Sequence, residues 1–148
     1  MLPRVTAYSS CGECLSLFFA RSPAPIVLEI TTKNEITCVF NLAVNDGQFP
    51  AFKELVSRVV EATNEEPGTL SYVYSVSEDQ QTAHIVERYR QEDVVSHVDH
   101  TFAPFAETFL SLVTITGLTV YGEPDDEIRK RLDPFGAVYM KPFDGFTR

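Results

Sequence analysis

The stretch TLSYVYSVSEDQQTAHIVERYRQEDVVSHVDH, residues 69–100, decides the fold prediction. Residues 69–77 and 82–90 are rich in β-branched and aromatic side chains, which are typical of strands. Residues 78–81 between them have the length of a hairpin loop. Residues 91–100 then change to the spacing of a short amphipathic helix. The stretch therefore predicts a β-hairpin that runs directly into a helix.

The sequence on both sides extends this pattern. Residues 35–44 (EITCVFNLAV) alternate as a strand, and residues 49–68 have helical spacing that Glu66-Pro67-Gly68 ends. Pro104 predicts a break in the helical region, with a second helix beginning near it. Residues 114–122 (TITGLTVYG) are the last strong strand. The order strand, helix, strand, strand, helix, strand predicts an α+β, ferredoxin-like βαββαβ fold with an antiparallel sheet and both helices on one face.

The second face of this sheet is predicted to be covered by another subunit. The strand at 69–77 places Val73 between small polar residues, opposite the face that carries Tyr72 and Tyr74. Val39 and Val120 also lie on the parity opposite the main apolar set of their strands. A sheet face of mixed small and apolar residues needs cover beyond the helices, and a homodimer is the simplest way to provide it.

Two segments flank the predicted domain at 35–122. Residues 1–34 lack a clear period and are predicted to be an N-terminal extension peripheral to the pocket, with residues 26–30 (IVLEI) as a candidate edge strand. Residues 123–148 predict a short charged helix in PDDEIRKRLD and an aromatic tail. The tail is too apolar to remain free, so it is expected to pack on its own domain or on a partner.

Composition excludes several classes of function. The chain has 148 residues, 12 Lys+Arg and 21 Asp+Glu, and its formal charge of −9 disfavours nucleic acid. No apolar run approaches the roughly 20 residues that cross a bilayer, so no membrane partner and a cytoplasmic location are expected. Cys11, Cys14 and Cys38 fit a reducing compartment better than a disulfide framework. The spacing of Cys11 and Cys14 resembles a redox pair, but the flanking elements of such a motif are missing.

The histidines offer one candidate base and a weak case for a metal. His97 stands among valines on the helix after the hairpin, where a neutral imidazole deprotonates a phenol, or else bonds a backbone carbonyl in a half-buried position. His97 and His100 are three residues apart, and Asp99 lies between them. A closed metal site usually has four ligands, and His84 belongs to a strand of uncertain facing. No metal is therefore predicted.

Other polar side chains in the strands are further candidates. Asn41 interrupts an apolar strand. Its amide either holds a substrate carbonyl or dioxygen, in which case it is catalytic, or satisfies a neighbouring strand or subunit. Glu87 either lines a pocket or forms an ion pair with Arg58 or Arg90, and the ion pair is favoured. Tyr72 and Tyr74 share one face of their strand and either line an aromatic pocket or pack in the core.

The same residues carry a family resemblance over about residues 35–122. A helix that closes in Glu66-Pro67-Gly68 precedes a Tyr-rich strand, the next strand carries Glu87-Arg88-Tyr89, and the following helix holds His97. In this order and spacing the chain resembles the antibiotic biosynthesis monooxygenase family, which includes quinol monooxygenases and related heme-degrading enzymes.

The resemblance implies a dimeric α+β barrel in which two ferredoxin-like subunits pack sheet against sheet. It also implies oxidation of a small aromatic or quinol substrate by molecular oxygen, with no metal or flavin cofactor. The chain has no tryptophan, which some members place in the pocket, so Tyr72, Tyr74 or Phe102 is expected to take that place. The alternative function is a non-catalytic dimer of the same fold that binds a small molecule in this pocket.

Overall fold

The computed structural model describes residues 34–146, so the predictions for residues 26–30, Cys11 and Cys14 lie outside the described residues. Within that range every predicted helix and strand is present. The strands and α-helices are β1 Glu35–Val44, α1 Phe49–Asn64, β2 Thr69–Val76, β3 Thr82–Arg90, α2 Val94–Ser96, α3 Ala103–Leu112, β4 Val113–Tyr121, α4 Asp126–Leu132 and β5 Ala137–Met140.

The strands form one sheet in the order β2-β3-β1-β4-β5. The four strands β1 to β4 pair antiparallel, and β5 joins the edge parallel to β4. This is the ferredoxin-like α+β topology with one added strand, so the predicted fold is confirmed. No helix within residues 34–146 is both long enough and apolar enough to span a bilayer.

The helices bury their apolar stripes against one face of the sheet. In α1 the buried positions include Phe52, Leu55 and Val59, at the predicted spacing, whereas Val60 is 37% exposed and lies at the edge of the stripe. The core has two clusters. One is centred on α1 and α3, and the other on α2 and α4, while Phe40 and Tyr72 pack against both. The space between these clusters is where the site described below lies.

A β-bulge in β4 corrects the predicted facing of Val120. The register of β1 and β4 shifts after Asn41, which leaves Thr116 without a partner in the ladder, and its hydroxyl donates to the Asn41 carbonyl at 3.0 Å. One extra residue reverses the parity of the rest of the strand. Leu118 and Val120 consequently face the helices and are buried, and Val120 does not contribute to the open face.

The helical region between β3 and β4 continues where a break was predicted. A π-helix, His97–Phe102, joins α2 to α3, and Pro104 lies in the first turn of α3. A proline there needs no intrahelical N–H, and the wider π turn before it accommodates the ring without a break. The prediction that α3 begins near Pro104 is correct, but the predicted break is wrong.

The segment after β4 packs partly on the same core. Asp125 caps α4 by accepting a hydrogen bond from the Ile128 amide at 2.9 Å, and Ile128 and Leu132 are buried against the sheet. The tail differs, because Phe143 is 97% exposed and Phe146 is 70% exposed. Packing of the tail on its own domain or on a partner stays a prediction.

The open face of the sheet carries an apolar row across all five strands. The residues of the row are neighbours in register on adjacent strands, and its valines on β2, β3 and β5 are 41–57% exposed. In spatial order the row is Val73, Val86, Val39, Thr119 and Val138. Such a row on an uncovered sheet favours association through this face, as the homodimer prediction requires.

We predict that Val86→Asp converts the dimer into a monomer, because the new carboxylate would lose its hydration at the centre of the interface. An obligate sheet-to-sheet interface is expected to bury more than ~2,000 Å². Val76→Asp is the matched control, since Val76 is similarly exposed, at 46%, but lies on the opposite face of the sheet. Light scattering at micromolar concentration measures both. A wild-type monomer, or a dimer that persists in Val86→Asp, contradicts the prediction.

Candidate active site

Glu66 and His97 form a hydrogen-bonded pair at the edge of the core. The Glu66 carboxylate lies just after α1, and His97 is the first residue of the π-helix. His97 Nδ1 lies 3.0 Å from Glu66 Oε2 and 3.2 Å from Oε1. Because a carboxylate only accepts, we assign the ring proton to Nδ1, which leaves Nε2 as the nitrogen with a free lone pair. Among residues 34–146, no hydrogen bond to Nε2 is formed.

Local contacts after α1 hold Glu66 in this position. The Thr69 hydroxyl donates a hydrogen bond to Glu66 Oε2. Gly68 is buried directly beneath Asp93, and a Cβ at that position would lie about 2.0 Å from the Asp93 side chain. Only glycine allows the turn before α2 to pack there, so Glu66-Pro67-Gly68 brings the carboxylate under the helix that carries His97.

Aromatic rings enclose the His97 imidazole, which is 4% exposed. The ring centroids of Tyr89 and Tyr72 are 5.0 and 5.3 Å from it, and Phe102 stacks at 6.3 Å. Burial lowers the pKa of His97, and the nearby Glu66 carboxylate offsets part of this shift. His97 is therefore a neutral imidazole near pH 7, which is the state that accepts a proton.

An apolar cavity of about 220 Å³ lies between the two core clusters, with His97 in its wall. Its polar groups are few, and most of the lining is aliphatic or aromatic. The lining residues are Cys38, Phe40, Ile85, Glu87, Tyr89, Val94, His97, Val98, Phe102, Ala103, Ala106, Phe109, Leu110, Ile115, Leu132 and Phe135.

Glu87 is a buried carboxyl group in the same cavity. It is 5% exposed, and its Oε2 accepts a hydrogen bond from the Tyr89 hydroxyl at 3.0 Å. The favoured ion pair with Arg58 or Arg90 is wrong: Arg58 lies over the Phe105 ring, and Arg90 is exposed on the other face. Without a cation, burial raises the pKa of Glu87 to about 8, which the bond from Tyr89 opposes and Glu66 reinforces.

The other predicted pocket residues occupy different places. Phe102 lines the cavity, whereas Tyr72 and Tyr74 lie behind its wall, with their hydroxyl oxygens 3.1 Å apart. Burial raises the pKa of both tyrosines, so they are neutral phenols. Tyr72 reaches the site through its ring contact with His97.

Asn41 lies on the open face of the sheet, opposite the cavity. Its neighbours in register are His84 on β3 and Gly117 on β4, while the adjacent Phe40 faces the cavity. Within one subunit the structure does not bring Asn41 and His97 together, and a catalytic role for Asn41 stays a prediction. Among residues 34–146, no three His, Cys, Asp or Glu side chains converge as metal ligands do.

Comparison with known proteins identifies the fold that carries this site. The family model described as antibiotic biosynthesis monooxygenase matches residues 35–101, which include Glu66, Glu87 and His97. Residues 35–101 form an antibiotic biosynthesis monooxygenase domain. The predicted family resemblance is thereby confirmed. Comparison with curated protein sequences finds no match.

Solved structures extend the similarity beyond this monooxygenase domain. MupZ from Pseudomonas fluorescens has 21% sequence identity and a TM-score of 0.70, over 78% of this chain and 91% of that chain. SnoaB from Streptomyces nogalater, described as a cofactor-independent oxygenase, has 16% identity and a TM-score of 0.54, over 62% of this chain and 95% of that chain. At these identities the two structures establish the fold alone.

Sequence reasoning missed three contributors to the site. Glu66 was interpreted only as part of a helix stop, because nothing in the spacing shows that its carboxylate meets a histidine 31 positions later. Leu132 and Phe135 lie beyond the monooxygenase domain, yet they close one side of the cavity. The only available signal for Phe135 was its place in a C-terminal segment too apolar to remain exposed.

The raised pKa of Glu87 predicts a specific pH dependence of stability. In the folded protein Glu87 keeps its proton up to about pH 8, whereas in the unfolded chain it releases that proton above pH 4.5. The contribution of Glu87 to the free energy of unfolding is therefore full below pH 4.5 and is lost as the pH rises to about 8. Glu87→Gln removes this pH-dependent contribution to stability, while the opposing contribution of His97 remains in both the wild type and the variant. Relative to wild type, the Tm of the variant should rise by roughly 10 °C or more between acidic and alkaline pH, measured by calorimetry. A constant difference in Tm contradicts the burial argument.

Proposed function

We propose that this protein is a cofactor-independent monooxygenase that oxidises a small phenol or quinol with dioxygen. The observation that carries the proposal is the neutral His97 imidazole, oriented by Glu66 at the wall of an apolar cavity. A base with a hydrogen-bonded orienting group is the arrangement that general-base chemistry requires. The description of SnoaB as a cofactor-independent oxygenase on a similar fold supports the same reaction class.

The proposed reaction begins with proton transfer from a substrate hydroxyl to His97 Nε2. The resulting anion places charge on a ring carbon, where dioxygen adds and a C–O bond forms. Cleavage of the O–O bond and loss of the hydrogen on that carbon give a carbonyl and one water molecule. The substrate loses two hydrogens and gains one oxygen, so it supplies all four electrons that dioxygen accepts, and no external reductant is needed.

The cavity suits the substrate and the intermediate that this reaction requires. A dry cavity of roughly 150 Å³ holds a benzene ring, so one of about 220 Å³ holds a single substituted ring or a compact bicyclic one. The phenylalanines of the lining exclude water, which keeps the proton on the imidazole and protects the reactive anion. Orientation of the substrate against His97 then replaces the function of a bound cofactor.

We predict that His97→Ala lowers the rate of quinol oxidation by ~10²-fold or more, the usual contribution of a positioned base. Affinity for the substrate should change far less, because the cavity walls are mainly apolar. His100→Ala is the matched control, since His100 is exposed on the same π-helix. Oxygen consumption by chelated, flavin-free protein measures the rate over a panel of quinols and phenols.

Three outcomes of this experiment separate the candidate functions. A rate that falls only in His97→Ala, with one dioxygen consumed for each carbonyl formed, supports the monooxygenase. Turnover that is unchanged in His97→Ala removes this imidazole from the reaction. Binding without turnover over the whole panel favours the alternative function, a small-molecule-binding dimer.

We predict that the Phe135 ring sets the upper limit on substrate size. It lies against Phe40, with ring centroids 6.3 Å apart, and together with Leu132 it lines the cavity. Phe135→Ala should raise kcat/KM for a naphthalene-type quinol relative to a one-ring quinol by ~10-fold, because the removed ring opens space at that end. Phe143→Ala is the control, since Phe143 is 97% exposed. An unchanged ratio would show that the substrate does not reach Phe135.

A further inference from the structure

Among residues 34–146, Glu87 is the one carboxyl group that lines the cavity, and the proposed function leaves it without a role. Burying an ionised carboxylate in an apolar wall is costly unless a cation compensates it. Among residues 34–146, Glu87 forms no ion pair, and its single hydrogen bond comes from the Tyr89 hydroxyl. Oε2 takes that bond, while Oε1 has no hydrogen-bond partner among the described residues.

The cavity-lining residues of α2, α3, β4 and α4 are apolar, so the titratable groups that face Glu87 come from the other elements. Two of them are Glu66, just after α1, and His97 on the π-helix, whose pKa burial lowers so that its ring is neutral near pH 7. The others are neutral there, because burial raises the pKa of each. They are Cys38 on β1, Tyr72 and Tyr74 on β2, and Tyr89 on β3.

We infer that Glu87 is the proton donor of the cavity, a neutral carboxyl group that hydrogen-bonds an anionic oxygen of an aromatic ligand. His97 is the acceptor and Glu87 the donor, and the environment shifts their two pKa values in opposite directions. Such a divergence within one site is how proteins assign acid and base roles to two titratable groups. The binding role stands by itself, whereas the proton transfer below rests on the proposed oxygenase function.

In the proposed oxygenase reaction, Glu87 supplies the proton that the peroxide intermediate needs and later takes one back from the ring carbon. After His97 takes the hydroxyl proton and dioxygen adds to the ring carbon, the Glu87 carboxyl protonates the peroxide anion. Its carboxylate then removes the hydrogen from that carbon as the O–O bond breaks. The released hydroxide takes the proton held by His97 and leaves as water. Both side chains return to their starting states.

Binding of 2,4-dinitrophenolate tests this role without turnover. This probe is a one-ring aromatic anion that stays ionised throughout the range, and its colour change reports binding. The wild-type protein is expected to bind it ~10-fold more weakly at about pH 9 than at about pH 6, because ionisation of Glu87 removes the donor and adds a like charge. Glu87→Gln should bind with an affinity that does not depend on pH, since its amide keeps a donor and cannot ionise.

Two further variants complete the test. Glu107→Gln is the matched control, because Glu107 is exposed on α3, and its pH dependence should follow the wild type. Tyr89→Phe removes the hydrogen bond that stabilises the ionised carboxylate, so the loss of affinity should move to higher pH. This variant keeps the inference testable if Glu87→Gln does not fold.

The outcomes distinguish this inference from the proposed function. Wild-type affinity that is flat with pH, or no binding of the probe at about pH 6, overturns the donor role. The same holds if Glu87→Gln keeps the wild-type pH dependence, or if Tyr89→Phe leaves the midpoint in place. Absence of quinol oxidation overturns the proposed oxygenase, but it leaves the titration of the probe and its interpretation intact.

Discussion

The hydrogen bond between Glu66 and His97 joins two side chains 31 positions apart, and the organisation of the site depends on it. Each group loses hydration when it is buried, and each compensates part of that loss in the other. The bond also fixes which imidazole nitrogen keeps the proton. It forms only because α1 ends where it does, Gly68 allows close packing beneath Asp93, and the π-helix begins at His97.

The chemistry of the cavity comes from its apolar walls as much as from its polar groups. Loss of hydration favours the neutral form of every titratable group, so it makes His97 a proton acceptor and Glu87 a proton donor at the same pH. A cation beside Glu87 would favour its ionised form and remove this difference. The predicted partners of Glu87, Arg58 and Arg90, are held elsewhere, so the carboxyl stays neutral.

The C-terminal segment completes the cavity from outside the matched domain. Leu132 and Phe135 close its wall, and Arg131 forms a two-pronged ion pair with Asp99 of the π-helix, at 2.7–3.1 Å. This ion pair is exposed, so its main effect is to align α4 with the helix that carries His97. In the proposed function the segment therefore couples the limit on ligand size to the position of the base.

The sequence by itself determined the element order and the sheet with helices on one face, because these follow from local periodicity and composition. His97, Glu87 and Phe102 became residues of interest from their chemistry together with the family resemblance. The tertiary structure decided the rest. One bulge at Thr116 reversed the facing of Val120, a π turn replaced the break at Pro104, and Asn41 faced away from His97. Contacts such as Glu66 with His97 depend on the register and ends of separate elements, and a change of one residue there moves a side chain to another face.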